Sequence, residues 1–310
     1  MNQRESLPAP WIRLARNIQK YRIVYLMALP VLAYYILFHY APMYGASIAF
    51  KHYIPSRGIQ ASAWVGLKHF DSFFHSYYFE RLIRNTLLIS LYSIAFGFPA
   101  PILLALLLNE VKSSWYKRTV QTITYLPHFL SMTVICGMIL NFFASSGAVN
   151  SILTALGGEK RAFLLDPGYF RSIYIGSDIW QGVGWGSIVY LAALSGIDPA
   201  LYEAARIDGA NRFHQAVHIT IPGILPTIVV LFILRVGSMM NVGHEKIILL
   251  YNDMIMETSD VISTFVYRKG LLDANYSYSA AVGLFNSAIN FGLVVLTNAL
   301  SRAVKQTTLW

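Results

Sequence analysis

Charge is what this sequence has least of. Only 13% of its 310 residues are Asp, Glu, Lys or Arg, where a soluble domain of this size carries about a quarter. Cysteine is nearly absent as well: Cys136 stands alone in an apolar run, which excludes an intrachain disulfide framework. No G-x-x-x-x-G-K-[ST] phosphate loop occurs, so the chain is not expected to hydrolyse ATP. The stretch GVGWGS (Gly182–Ser187) resembles a glycine-rich phosphate loop. It has no strand before it, however, and Gly182 and Gly186 are spaced as in small-xxx-small helix packing. His244 in HEKII lacks the second histidine of a zinc-protease site, and there is no G-x-S-x-G elbow. Internal repeats and low-complexity segments are missing too. Together these absences argue against a membrane-embedded enzyme.

What is present is apolar surface: 55% of the residues are hydrophobic, more than a polar shell of this composition could cover, so lipid is expected as part of the solvent. A helix rising 1.5 Å per residue needs roughly 20 residues to cross the hydrocarbon. Six runs are that long, at about 23–42, 86–108, 119–143, 173–195, 219–242 and 279–301. The first is too long for the apolar core of a signal peptide and has no small-residue cleavage site after it, so it is expected to be a retained span. The fold class expected is an all-α polytopic membrane protein with six transmembrane helices.

The net charge of +9 could suggest nucleic acid, but the basic residues form no long run with interleaved aromatics. They flank the apolar runs, as membrane topology requires. With the N-terminus in the cytoplasm, the inner segments are 1–22, 109–118, 196–218 and the tail. They hold Arg4, Arg13, Arg16, Lys20, Arg22, Lys112, Lys117, Arg118, Arg206, Arg212, Arg302 and Lys305. The outer loops hold almost as many over nearly twice the length, so both termini are expected inside. Within residues 1–22, Leu7, Trp11, Leu14 and Ile18 recur at helical spacing opposite Arg13, Arg16 and Lys20. That pattern reads as a basic amphipathic helix at the inner interface, the alternative being a disordered tail that only supplies charge. Residues 23–310 are then the membrane domain.

Between the fourth and fifth runs lies EAARIDGANRFHQAVHITIP, a polar interruption from Glu203 to Pro222. Asp198-Pro199 is a helix-start signal, an N-cap oxygen followed by proline at the first helical position. A short helix over 199–208 would carry Leu201, Ala204 and Ala205 on one side and reach Asp208. Gly209 can take the left-handed conformation that ends it, and Asn211 can cap a second helix. Small alanines allow close approach by another protein, and Glu203 offers a carboxylate to a basic partner. The loop 198–222 thus suits docking, and it needs no reacting group.

Glu203-Ala204-Ala205, then Gly209, then Ile219-Thr220-Ile221-Pro222 resembles the EAA loop of binding-protein-dependent ABC importer permeases, with Ile221 where the usual form has leucine. The resemblance extends along nearly the whole chain, through LPVLAYYILFHYAPMYGASIAFKHY, YLPHFLS and SDVISTFVYRKGL. It is strongest to sugar-uptake permeases of the lipoprotein-associated and alginate-importer type. It implies a type I ABC importer transmembrane domain in the bacterial cytoplasmic membrane. The partners it implies are a second, homologous permease forming a heterodimer, two ATP-binding subunits that carry the ATP and Mg²⁺, and an extracytoplasmic solute-binding protein. The chain itself would hold no cofactor and no metal. Its loop, with Glu203, Ala204, Ala205, Asp208 and Gly209, would transmit ATPase closure, and an oligosaccharide would pass between the two permeases by alternating access.

Ionisable groups inside spans are costly and mark functional or structural pairs. Asp178 and Arg235 are such groups, and they either pair with each other or face a water-filled path. Trp180, Gly182 and Trp185 fall where maltose-type relatives line their sugar site, and indole faces stack on sugar rings. Asn241, Asn286 and Asn290 either donate to sugar hydroxyls or hold helices together. A planar guanidinium matches a uronate carboxylate bidentately, and the resemblance to alginate-type importers implies uronate-containing oligosaccharides as what Arg235 would favour, with neutral glycans as the close alternative. Rival functions are the same architecture carrying a glycerol-phosphate ester or a peptide, and a passive channel or membrane scaffold.

Overall fold

The computed structural model describes residues 19–303, which are mostly helical. The amphipathic helix expected over 1–22 falls, except for its last four residues, outside them. Helix α1 (Arg22–Tyr35) runs on through a π turn, Ile36–Tyr40, and a 3₁₀ turn to Phe50. None of the residues of α1 is buried against its own chain. A short hairpin follows, in which β1 (Lys51–His52) pairs antiparallel with β2 (Ala63–Trp64), Lys51 opposite Trp64. Next come α2 (Phe79–Tyr92), a π turn at Ser93–Gly97 and α3 (Pro99–Glu110). Beyond these lie α4 (Ser114–Tyr125), α5 (Met132–Phe143), α6 (Ala148–Ala155) and the 28-residue α7 (Pro167–Leu194). The polar loop forms α8 (Pro199–Ile207), and α9 (Ile221–Gly237) follows it. The segment between α9 and the last helix carries α10 (His244–Leu250) and α11 (Ile262–Tyr267), before α12 (Tyr276–Ala303) ends the described chain.

Five helical stretches among the described residues are long and apolar enough to cross a membrane: Arg22–Phe50, Phe79–Glu110, Met132–Ala155, Arg212–Gly237 and Tyr276–Ala303. The expected fourth span corresponds to α7. Its 28 residues reach about 42 Å, but its glycines, serines, Arg171 and Asp178 make it too polar to count by composition. Length and composition together therefore support five crossings.

Three expected boundaries need correction. The second span begins at Phe79 rather than near 86. Its first turns are polar, but Arg81 and Asn85 find partners inside the fold, which hydropathy does not register. The run 119–143 is not one helix. Pro127 sits in a 3₁₀ turn, Leu130 is extended, and the Ser131 hydroxyl restarts the helix by accepting from the Val134 N–H at 3.3 Å. The fifth span ends at Gly237, not near 242: Ser238 leaves the helical conformation with φ −104° and ψ 11°, and Gly237 itself packs so close to Val294 that a Cβ would collide with it. Asn241 consequently lies in a loop.

Three apolar clusters hold the helices. Ile135, Ile139, Phe170 and Ile247 join α5, α7 and α10. Phe73, on the short helix Lys68–Phe74, packs with Leu82, Ile262, Phe265 and Val282 of α2, α11 and α12. Near the polar loop, Ala105, Tyr190, Leu194 and Ile224 join α3, α7 and α9. Outward-facing Leu26, Leu103, Leu107, Phe291 and Leu296 stay exposed, as lipid permits. Between helices in lipid, close packing and hydrogen bonds supply the attraction that water exclusion supplies elsewhere.

Candidate functional site: an exposed loop and a charged cavity

The loop is built from local signals. Asp198 Oδ1 accepts from the Ala200 N–H at 2.9 Å, with Pro199 opening α8. Gly209 has φ +80°. Its N–H donates to the Arg206 carbonyl at 3.2 Å, and the Ala210 N–H to the Ala205 carbonyl at 2.8 Å. Those two bonds are the Schellman closure of a helix end, and they require the left-handed residue between them. Asn211 Oδ1 then accepts from the His214 N–H at 2.9 Å and starts the turn Arg212–Gln215. Glu203, Ala204 and Asp208 are exposed, and Ala205 is half-buried. Ile207 is 87% exposed and Phe213 74% exposed, so the tip presents apolar groups that nothing among the described residues covers. Arg212 reaches Glu110 at the end of α3, at 3.6 Å, through side chains open to solvent; such a pair contributes little.

Farther along α7 and α9, a cavity of roughly 310 Å³ is lined by Ser93, Asp178, Arg235, Asn241, His244 and Lys246, among others. A second, of roughly 300 Å³, extends toward the loop end and is lined by Gly97, Pro101, Asp178, Gly182, Gly186 and Arg235. Asp178 and Arg235 line both, so they stand where the two meet. They do not pair with each other. Arg235 donates to the Ser93 hydroxyl, and no carboxylate among the described residues lies within ion-pair distance of it. Asp178 instead faces Lys246, its Oδ1 3.6 Å from Nζ. The Lys246 ammonium also donates to the Tyr174 carbonyl at 3.2 Å and lies 4.8 Å from the Tyr174 ring centroid. Burial pushes the ammonium below the ordinary lysine range, against the pull of Asp178.

The asparagines form one cluster. Asn241 Oδ1 accepts from the side chains of Asn286 at 2.8 Å and Asn290 at 3.0 Å, and Asn290 Oδ1 accepts from the Met240 N–H at 2.9 Å. Asn286 and Asn290 are buried. They tie α12 to the loop after α9, and only Asn241 of the three lines the charged cavity. Neither Trp180 nor Trp185 lines the two cavities. Trp180 follows Asp178 by two residues and so points roughly 200° around the helix. Trp185 stacks on the His128 ring, with centroids 4.6 Å apart and planes 3° from parallel. The expected Gly182–Gly186 packing face is also rephased. A Cβ at Gly184 would collide with the Thr124 carbonyl and one at Gly186 would meet Pro101 at 3.0 Å, whereas Gly182 has open space.

At the end of the molecule away from the loop, Asp260 is wholly buried. Arg268 grips it with two bonds, of 2.9 and 2.7 Å, Arg81 adds one of 3.1 Å, and the Thr264 hydroxyl donates at 2.8 Å. Burial alone would lower the Arg268 pKa; the bonds and charge of Asp260 hold it above the ordinary arginine value.

A family model described as "Binding-protein-dependent transport system inner membrane component" matches residues 97–306. The chain belongs to this family. The permease is 44% identical over 291 residues to the polygalacturonan/rhamnogalacturonan transport system permease protein YteP of Bacillus subtilis (strain 168), covering 94% of this chain and 91% of the relative. It superposes with TM-score 0.88 and 45% identity on a chain of a bacterial ABC transporter involved in the import of the acidic polysaccharide alginate, over 95% of this permease and 100% of that chain. A second crystal structure is of a bacterial alginate ABC transporter in complex with an alginate pentasaccharide-bound periplasmic protein. It matches with TM-score 0.89 and 45% identity, over 96% of this chain and 100% of that one. The fold is thus that of an ABC importer permease, as the EAA-type loop implied. Reading the residues singly missed Lys246 and Ser93, because a lysine after an apolar run reads as a topology signal and a serine in one reads as neutral.

Proposed function

We propose that this permease is one of two homologous membrane subunits of an ATP-driven importer of uronate-containing oligosaccharides. In this reading α7 is a sixth crossing, its polar face turned to the cavities, and both termini lie in the cytoplasm. Two ATP-binding subunits hold ATP and Mg²⁺ and receive the tip formed by Glu203, Ala204, Ala205, Asp208 and Gly209. An extracytoplasmic binding protein delivers the saccharide to the far end. The chain itself performs no hydrolysis. Closing of the ATPases moves α8, and with it α7 and α9, whose facing sides line the path.

The observation that carries the substrate class is Arg235. It is exposed where two cavities meet and bonded to a neutral hydroxyl, with no carboxylate at ion-pair distance among the described residues. A guanidinium so placed is available to a planar carboxylate. The names of the relatives, which concern polygalacturonan and alginate, support the same class. The test is uptake by the reconstituted complex of acidic and neutral oligosaccharides of equal length. Arg235→Lys and Arg235→Gln should both depress acidic uptake well below neutral uptake. An equal fall for both substrates would make Arg235 architectural.

A further inference from the structure

Among the described residues, two charged side chains are buried, Asp260 and Lys246, and they are built in opposite ways. Asp260 has short bonds to both oxygens, from two guanidiniums and a hydroxyl. Lys246 has a side chain 2% exposed, yet its carboxylate partner is 3.6 Å away, beyond a normal hydrogen bond, and that partner's side chain is 41% exposed. One direct bond, to the Tyr174 carbonyl, serves an ammonium with three donors. A pair meant only to lock helices together would resemble the first arrangement. The second leaves the carboxylate free to turn away into the cavity that it lines with Arg235.

We infer that Asp178 is a resident carboxylate which holds Lys246 until a substrate uronate takes its place, so that Lys246 is a second carboxylate-reading cation beside Arg235. The inference rests on the acidic-substrate reading above. Its physical basis is exchange. Withdrawing Asp178 alone leaves a buried ammonium unpaired, which is costly. An arriving carboxylate restores the pairing, and a neutral sugar cannot. Selectivity then comes from a penalty that only the acidic ligand removes, as well as from attraction to Arg235. Lys246 is carried by α10 and Asp178 by α7, so the exchange removes one link between the two helices when the right substrate has arrived, while the Tyr174 carbonyl bond and the apolar packing stay in place. Glu245 and His244 lie on the same wall of the cavity. The exposed Glu245 carboxylate disfavours an acidic ligand that approaches without engaging both cations.

The experiment uses the complete complex, with partner permease, ATPases and binding protein, in proteoliposomes supplied with a galacturonate trisaccharide or a neutral trisaccharide. Lys246→Gln should lower acidic uptake relative to neutral uptake by about tenfold or more. Asp178→Asn, which keeps shape and removes the competing charge, should lower the half-saturating concentration of the acidic substrate and leave its preference over the neutral one intact. The double variant Asp178→Asn/Lys246→Gln should keep the low acidic-to-neutral ratio of Lys246→Gln. If the double variant instead recovers wild-type uptake of both sugars, the pair is architectural and the inference is overturned. An unchanged acidic-to-neutral ratio in Lys246→Gln overturns it equally. Failure of the underlying reading looks different: the wild-type complex itself would then take up the neutral trisaccharide as well as the acidic one.

Discussion

The Tyr202 hydroxyl lies 3.0 Å from Oγ1 of Thr220. Thr220 is buried and its own hydroxyl donates to the Gln215 carbonyl at 3.3 Å, which leaves Tyr202 as the donor to it. The contact joins the middle of the exposed helix α8 to the last residue of the π turn Ala216–Thr220, from which α9 departs. The far end of α9 carries Arg235. This hydrogen bond ties the exposed tip to the rod that ends at the charged cavity. Tyr202→Phe removes it at a cost of about 1 kcal/mol. Folding and membrane insertion should survive, while the number of sugars moved per ATP hydrolysed falls in the reconstituted complex. Wild-type stoichiometry in Tyr202→Phe would show that the contact transmits nothing.

Gly209 tests the tip in another way. A Cβ there meets nothing within 4 Å, so the cost of a side chain is backbone strain at φ +80° and not collision. Gly209→Ala should cost about 1–2 kcal/mol locally, and Gly209→Val more, because β-branching tolerates positive φ least. Both should shift the Schellman closure and reduce transport-stimulated ATP hydrolysis. Glu203→Lys, on an exposed face, should reduce it without any loss of thermal stability. Normal stimulation in all three variants would remove the loop from the coupling mechanism.

Two glycines of α7 separate packing from path. Gly184→Ala forces a methyl against the Thr124 carbonyl, and overpacking of this kind costs about 1–3 kcal/mol. Gly182→Ala enters open space beside the second cavity. The first should lower the thermal inactivation midpoint in detergent. The second should leave that midpoint unchanged. Equal midpoints for the two variants would contradict the helix phase described above.

Around Asp260 the partners rank by geometry. Asp260→Asn leaves two half-buried guanidiniums without their buried counter-charge and should destabilise by up to about 3–5 kcal/mol. Arg268→Gln, which loses the two bonds of 2.9 and 2.7 Å, should be worse than Arg81→Gln, which loses one of 3.1 Å. Thermal inactivation midpoints of the three purified variants give the order. An Asp260→Asn protein as stable as the wild type would mean that the cluster is neutralised in some other way.

How much could be read without the fold depends on the range of the interaction. The loop 198–222 was legible in detail because its signals act within a few residues. A carboxylate before a proline caps a helix, a glycine accepts the left-handed turn, and an asparagine starts the next helix. Apolar runs likewise marked the spans, since crossing lipid is a requirement on composition. Tertiary structure decided what each polar group inside those spans is paired with. Asp178 and Arg235 were open to pairing with one another, but α10 brings Lys246 to the first, and α2 leads into a turn that brings Ser93 to the second. Asn286 and Asn290 were equally compatible with sugar or helix contacts until Asn241, 45 and 49 residues away, accepted from both. Helical phase relative to a neighbour was likewise invisible, which is why close packing falls on Gly184 and leaves Gly182 in the open. A residue's type limits the bonds it can make; which bond it makes is set by the helix that packing places opposite it.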